Sequence, residues 1–305
     1  MNKYWSDIMD FRQLETFAAI AKFKSFSKAA DYLFLTQPTI SNHIQNLENQ
    51  LGTILIDRTN KKVSLTKAGE ILYTYALDIL NKRELALFKL EQFKGKIEGT
   101  LEIASSTTPE NYFLPKLLNS FHQIHPDVKY HLFHYDSQQV IDAIVHGQID
   151  FGIVGVKDEK KQLNYIHLME DRLVLIAPYS PPYRNIDSVS IDFLLDKKLI
   201  LREEGSGTRK IFEEELKQQH LSTEHLPVVA YMENTETIKQ CVRLGLGLAI
   251  VSELAICDEL KFSTLKKIEI EGLDLHRYFY FAYHKHRTLS PLAETFKNYV
   301  LTQIP

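Results

Sequence analysis

Apolar residues in the first quarter of the chain recur at the spacing of helix faces. Phe11, Leu14, Phe17, Ala18 and Ala21 predict an amphipathic helix. Ser27 can cap a second helix over KAADYLF, where Ala29 and Ala30 allow a neighbouring helix to approach closely. Thr36 is a good N-cap for a third, and Pro38 suits its first turn, where backbone N–H groups lack partners in any case. Ile40, Ile44, Leu47 and Leu51 then form one apolar stripe that Gly52 ends. The short runs TILIDR and KVSLT flank the turn signal TNK and read as a small β-hairpin.

From about residue 66 to 95 the pattern predicts one long helix. Ala68, Leu72, Tyr75, Ile79, Ala86 and Phe93 follow an a/d-like spacing broken by Lys82 and Lys89. A helix this long outreaches a head of about 55 residues, so the stripe reads as a dimer seam, with packing onto its own domain as the alternative. Beyond residue 100 strands and helices alternate. The strands LEIAS, KYHLFHY and IDFGIVG enclose the helices FLPKLLNSFHQIH and SQQVIDAIVHG. A second round has strands RLVLIAP, KLILRE, PVVAYME and LAIVS and helices TRKIFEEELKQQ and TETIKQCVRLG; strand RYFYFAYHK and helix LAETFKNYVL come last. Such alternation implies parallel-rich sheets covered by helices, and two rounds imply two α/β lobes. The expected organisation is a head over 1–66, a linking helix over 67–97 and a two-lobed domain over 98–305. Lobe 1 takes about 98–168 plus 270–305, and lobe 2 about 169–269.

Charge refines this picture. Of 36 Lys+Arg and 39 Asp+Glu, residues 1–96 hold 14 and 10, leaving 22 and 29 to the rest. The net charge of −3 therefore hides a mildly basic head on an acidic body, which suits a polyanion-binding module joined to something else. No apolar run approaches the roughly 18–20 residues of a membrane span, so no membrane contact is expected. The N-terminus has no apolar signal core, which argues against export. Cys241 and Cys257, the only cysteines, exclude a disulfide framework and fit a reducing cytoplasm.

The pattern FxxLxxFxxIAxxxSFSxAAxxLxxTQPTISxxIxxLExxLGxxLxxR resembles the N-terminal winged helix-turn-helix of LysR-type transcriptional regulators. It is carried by Phe11, Leu14, Phe17, Ala29, Ala30, Leu33, Gln37, Pro38, Ser41, Ile44, Leu47, Glu48, Leu51, Gly52, Leu55 and Arg58, with LTxAG at 65–69. LEIASSTTPENYFLPKLL and GLGLAIVS also look like the family's first strand–helix unit and a late helix–strand turn, so the likeness covers nearly the whole chain. Ile56 departs from the family's usual Phe, a swap of core residues. The resemblance implies a winged helix-turn-helix that is all-α with a small β wing, a long dimerising linker helix, and a two-lobed α/β effector domain resembling periplasmic binding proteins. It also implies a dimeric or tetrameric regulator, modulated by a small molecule bound between the lobes.

With the stripe of the third helix buried, Gln37, Ser41, Asn42 and Gln45 face outward beside Pro38 and Thr39, and the helix carries no Lys or Arg. Asn and Gln can bond bidentately to adenine, and Ser or Thr can serve either base. Lys28, Arg58, Lys61 and Lys62 lie outside this helix and are the expected phosphate contacts, since phosphate contacts set position while base contacts set sequence. These side chains would equally serve as an ordinary solvated surface. A dimer would place two such helices on half-sites one helical turn or a multiple apart, an interrupted palindrome of double-stranded DNA.

Three strand-to-helix turns offer hydroxyls and free backbone N–H groups: SSTT at 105–108, GSGTR at 205–209 and NTET at 234–237. Ser106, Thr107, Thr108, Ser206, Gly207, Thr208 and Thr235 are candidates to hold a small anionic metabolite, carboxylate or sulfate-like, with Arg209 as a fixed positive fork. Each hydroxyl could instead be a plain N-cap, and Arg209 could pair with Glu213 one turn on. No catalytic set, cofactor loop or metal site is expected. GSGT lacks the full nucleotide-loop pattern, no G-x-S-x-G elbow occurs, and neither cysteine has a nearby histidine. His122 and His125 share a helix face, but His131 and His134 sit three apart on a strand and point to opposite sides. The alternative is a small-molecule-binding protein or enzyme of the same two-lobed fold without DNA regulation.

Overall fold

The computed structural model describes residues 9–57, 63–93, 97–159 and 161–304. Its head comprises α1 (Phe11–Phe23), α2 (Phe26–Leu33) and α3 (Gln37–Leu51). The wing strands β1 (Ile56–Asp57) and β2 (Ser64–Leu65) follow, then the long α4 (Lys67–Phe93). The cap of α2 is Ser25 and not Ser27: the Ser25 side chain accepts from the Lys28 N–H, and Ser27 falls inside the first turn. Lys24, left-handed after α1, turns the chain so that Ser25 arrives in the extended conformation an N-cap needs. Thr36 caps α3, and Gly52 ends it at φ +66°. Leu14, Phe17 and Ile20 of α1, Ala29 and Ala30 of α2, and Ile40, Ile44 and Leu47 of α3 form one buried cluster with Leu55, Ile56 and Ala76.

The expected single stripe on α4 is split between two uses. Ala68, Leu72 and Ile79 pack into the head of their own chain together with Tyr73 and Leu80. Tyr75 and Ala86 are exposed instead, as are Leu87 and Leu90 further along; the Phe93 side chain lies outside the described residues. A helix of 27 residues is about 40 Å long, and the head core reaches only as far as Leu80. The linker is also tied to the body. The Tyr73 hydroxyl donates to the Gly147 carbonyl at 3.3 Å, and the Thr288 N–H donates to Asp78 at 2.8 Å.

The body opens with β3 (Gly99–Ser106), α5 (Thr107–Tyr112), α6 (Leu114–Ile124), β4 (Val128–Tyr135), α7 (Ser137–Val145) and β5 (Phe151–Val154). Next come β6 (Leu163–Pro178), β7 (Ser188–Val189), β8 (Leu199–Arg202), α8 (Gly207–Gln218), β9 (Val228–Met232), α9 (Thr235–Arg243) and β10 (Leu248–Ser252). It closes with α10 (Cys257–Lys261), β11 (Leu265–Ile270), β12 (His276–His284) and α11 (Pro291–Gln303). The strand order is β4-β3-β5-β12-β6-β10-β8-β9, with β11 also on β6. β3 is parallel to β4 and β5, and β8 is parallel to β9 and β10, whereas β6 and β12 run antiparallel to their neighbours.

β6 is longer than RLVLIAP suggests because its first half mixes buried, half-buried and exposed positions and lacks a continuous apolar run. Residues Leu163–Arg172 pair with β12, and from Leu173 the same strand pairs with β10. One strand thus belongs to both lobes, and the Leu173 N–H donates to the Leu275 carbonyl at 2.9 Å where the chain crosses back. Each lobe has a core on both faces of its sheet. Ile103, Phe121, Phe151, Phe281 and Phe296 lie on one side of lobe 1, with Val140, Ile141 and Ile144 on the other. In lobe 2, Leu173, Leu175, Leu201 and Phe212 are opposed by Val174, Ile176, Ile238 and Val251. Among the described residues no helix is long and apolar enough to cross a membrane.

The LTxAG stretch has a steric cause. The Gly69 N–H donates to the Thr66 hydroxyl at 3.1 Å, and that hydroxyl donates to the Ile54 carbonyl at 2.7 Å, pinning the start of α4 to the wing. A Cβ on Gly69 would collide with the backbone carbonyl of Leu55. Gly69→Ala is therefore expected to destabilise the head by about 1–3 kcal/mol, read as a lower urea midpoint for the head.

Candidate nucleic-acid and effector sites

On α3, Gln37, Pro38, Asn42 and Gln45 are exposed, and Thr39 and Ser41 are half-buried at the edge of the same face. The Thr36 and Thr39 hydroxyls bond each other at 2.8 Å, and the Ser27 hydroxyl reaches the Gln37 side-chain oxygen at 3.5 Å. Lys28 is exposed in the first turn of α2. Arg58, Lys61 and Lys62 lie outside the described residues. Glu48 was not singled out as functional, yet its Oε1 accepts from the N–H groups of Leu55 and Ile56 at 2.8 and 3.1 Å. That carboxylate ties the first residues of the wing to α3.

In the body, Ser106, Thr107 and Thr108 from lobe 1 meet Ser206, Gly207 and Thr208 from lobe 2 around one polar pocket. Ser106 and Ser206 stand at the N-cap positions of α5 and α8, but neither hydroxyl makes a cap bond or any other hydrogen bond among the described residues. The two residues are 7% and 4% exposed as a whole, and their hydroxyls open onto the pocket. The third turn behaves otherwise, since Asn234 spends its side chain capping α9. Thr235 enters the site indirectly, accepting from Arg202 at 3.4 Å.

The cations of the pocket are not the one the sequence suggested. Arg209 pairs with Glu213 at 2.7 Å and lies over the Tyr231 ring, outside the pocket lining. Arg202 and Arg277, 6% and 5% exposed, take its place. Arg277 Nε bonds Asp171 at 2.7 Å, Nη1 donates to Thr208 at 3.0 Å and Nη2 to Thr108 at 3.3 Å. Burial pushes the Arg277 guanidinium down, and Asp171 opposes that push. Arg202 donates to Thr107 at 3.1 Å and holds Glu203 through two bonds of 2.7 Å. The one available signal was a charge inside a strand that is otherwise apolar, at LILRE and at HRYFYF.

The lobes also touch beside the pocket. The Tyr112 hydroxyl donates to Glu236 at 2.6 Å, and Glu236 pairs with the buried Lys239 at 2.8 Å. Burial raises the Tyr112 pKa, and the Glu236 bond adds to it. The pocket's free volume is about 10 Å³, roughly the least that holds one water. The lobes are bonded directly beside it, through Arg202–Thr107 and Tyr112–Glu236. Among the described residues no group of three His, Cys, Asp or Glu is placed to hold a metal: His122 packs on Tyr130, His125 ends α6 against Phe121, and His134 bonds Glu110 at 2.6 Å.

Comparison with known proteins agrees with this architecture. Residues 11–70 match the family model described as "Bacterial regulatory helix-turn-helix protein, lysR family", and residues 94–305 match "LysR substrate binding domain". The "RuBisCO operon transcriptional regulator" of Allochromatium vinosum is 32% identical over 97% of this chain and 96% of its own length. A full-length OxyR variant from Pseudomonas aeruginosa has the same fold at a TM-score of 0.75 and 20% identity, over 96% of this chain and 94% of its own. The CcmR regulatory domain of Synechocystis PCC6803, solved in complex with 2-PG, superposes with a TM-score of 0.62 at 28% identity. That match covers 68% of this chain and 98% of the CcmR domain.

The charge pair behind the pocket sets a stability expectation. Asp171→Asn leaves the Arg277 guanidinium buried without its counter-charge, which costs about 3–5 kcal/mol. Thermal or urea unfolding of the body should register that loss.

Proposed function

This chain belongs to the LysR family and is a DNA-binding transcriptional regulator, and on that premise we propose how it reads DNA and which signal it answers. Three units divide the work: a reading head over 1–66, a linker over 67–97 and an effector domain over 98–305. The exposed face of α3 reads bases through Gln37, Ser41, Asn42 and Gln45, with Pro38 and Thr39 at its entry. Lys28, Arg58, Lys61 and Lys62 hold phosphates. Two heads, joined as a dimer along the exposed part of α4 that includes Leu87 and Leu90, meet the half-sites of an interrupted palindrome. Dimers pair into tetramers. The protein works in the cytoplasm by binding, without turnover.

The effector is a small anionic metabolite of the same class as 2-PG, held between the lobes. The observation that carries this reading is the convergence of hydroxyl turns from opposite lobes, Ser106–Thr108 and Ser206–Thr208, on one pocket beside the two buried guanidinium groups of Arg202 and Arg277. Donors of that kind suit a multidentate oxyanion. Arg209 braces α8 through Glu213 and supports the site from outside.

Two experiments test these assignments. In gel shifts, Asn42→Ala should narrow the gap between cognate and random DNA. Lys28→Ala should instead weaken both alike and flatten the salt slope by about one unit. Equal losses on both DNAs for Asn42→Ala would remove its reading role. In thermal shift, 2-PG, phosphate or sulfate should raise the melting temperature of the wild type and do so far less for Thr107→Ala and Ser206→Ala. Undiminished shifts in those variants would place the anion elsewhere.

A further inference from the structure

Arg202 and Glu203 are consecutive residues, and within a strand their side chains would point to opposite faces. β8 ends at Arg202, however, and the following turn reverses the second of them. The Ser206 N–H donates to the Glu203 carbonyl at 3.3 Å and Gly205 sits at φ +90°, a conformation that favours glycine. The turn folds the Glu203 carboxylate back onto the guanidinium before it. Arg202 Nε and Nη2 each donate to one carboxylate oxygen at 2.7 Å. This is the two-bond fork with which arginine recognises a carboxylate or phosphate. The two-bond edge of Arg202 is therefore already filled from within, while the Ser106 and Ser206 hydroxyls beside it are not spent on capping their helices.

The two carboxylates paired with the guanidinium groups differ in how firmly they are held, while Asp136, also in the pocket lining, caps α7 by accepting from the Gln139 N–H at 2.7 Å. Asp171 is fully buried on β6, and besides Arg277 it accepts from the Ser252 hydroxyl at 2.6 Å. It is an anchored counter-ion. The Glu203 side chain is 17% exposed on a turn, and Arg202 is its sole side-chain partner among the described residues.

We propose that Glu203 is a built-in competitor for the effector: its carboxylate occupies the Arg202 fork and swings out when an anion takes its place. The proposal rests on the anionic-effector reading above. It gives the pocket a threshold, because an anion must outbid a tethered carboxylate and not merely fill a vacant site. It also selects for ligands that engage the serine hydroxyls at the same time, since Glu203 leaves those unused.

Calorimetric titration of the full-length wild type, Glu203→Gln and Glu204→Gln with 2-PG, phosphate and sulfate at one ionic strength tests this. Glu204 is exposed, adjacent and outside the pocket lining, so it controls for the general loss of a negative charge. Glu203→Gln should bind about tenfold tighter or more, given that charged hydrogen bonds are the ones weakened. Glu204→Gln should stay within about twofold of wild type. Glu203→Asp, whose shorter arm cannot make both bonds, should fall between and serves if the Gln variant does not fold. Wild-type binding with no gain in Glu203→Gln, or an equal gain in Glu204→Gln, overturns the competitor while leaving the anionic effector in place. Binding of these anions by neither wild type nor Glu203→Gln overturns both.

Discussion

Arg277 carries its charge out of water at the point where the two lobes meet, and a charge in that position is stable only with its counter-charge and hydrogen bonds in place. Asp171 from β6 supplies the first, and Thr108 and Thr208 from opposite lobes supply the second. Ser252, at the end of β10, holds Asp171 in turn. Four segments distant in sequence are thereby aligned around one guanidinium. The hydroxyl turns inherit their positions from that alignment, so the pocket follows from solving the burial of a single charge.

The head solves a different problem, how to hold the uncharged face proposed to read bases against the rest of the domain. Glu48 spends its carboxylate on two wing N–H groups, and Thr66 with Gly69 pins the wing to the linker. The reading helix, the wing and the start of α4 are therefore locked together by short polar contacts around the apolar core. The lack of Lys and Arg on α3 suits the base-reading role proposed for it, which leaves position along the duplex to cations on neighbouring elements.

Much of this was legible in the sequence where the governing interactions are local. The α3 stripe, its Thr36 cap and its Gly52 stop are decided within a few residues, and so are the hydroxyl turns after β3 and β8. The cap of α2 was misread because Ser25 and Ser27 are chemically alike, and only the backbone turn at Lys24 chooses between them. The pocket's cations were missed for the opposite reason. Arg202 and Arg277 are 75 positions apart and acquire their meaning only when β8 and β12 are folded toward one point. Arg209 looked better placed by local criteria, but its nearest partner, Glu213, was local as well.

The continuity of β6 has a mechanical consequence. The linker helix is bonded to lobe 1 at Gly147 and Thr288, whereas lobe 2 hangs from lobe 1 on β6 and the return at Leu275. Lobe 1 is in this sense a stator, fixed to the shaft that carries the head, and lobe 2 is the rotor. The chain passes between the lobes at two adjacent points, so any change in their relative angle is carried by the backbone at 172–173 and 275–276.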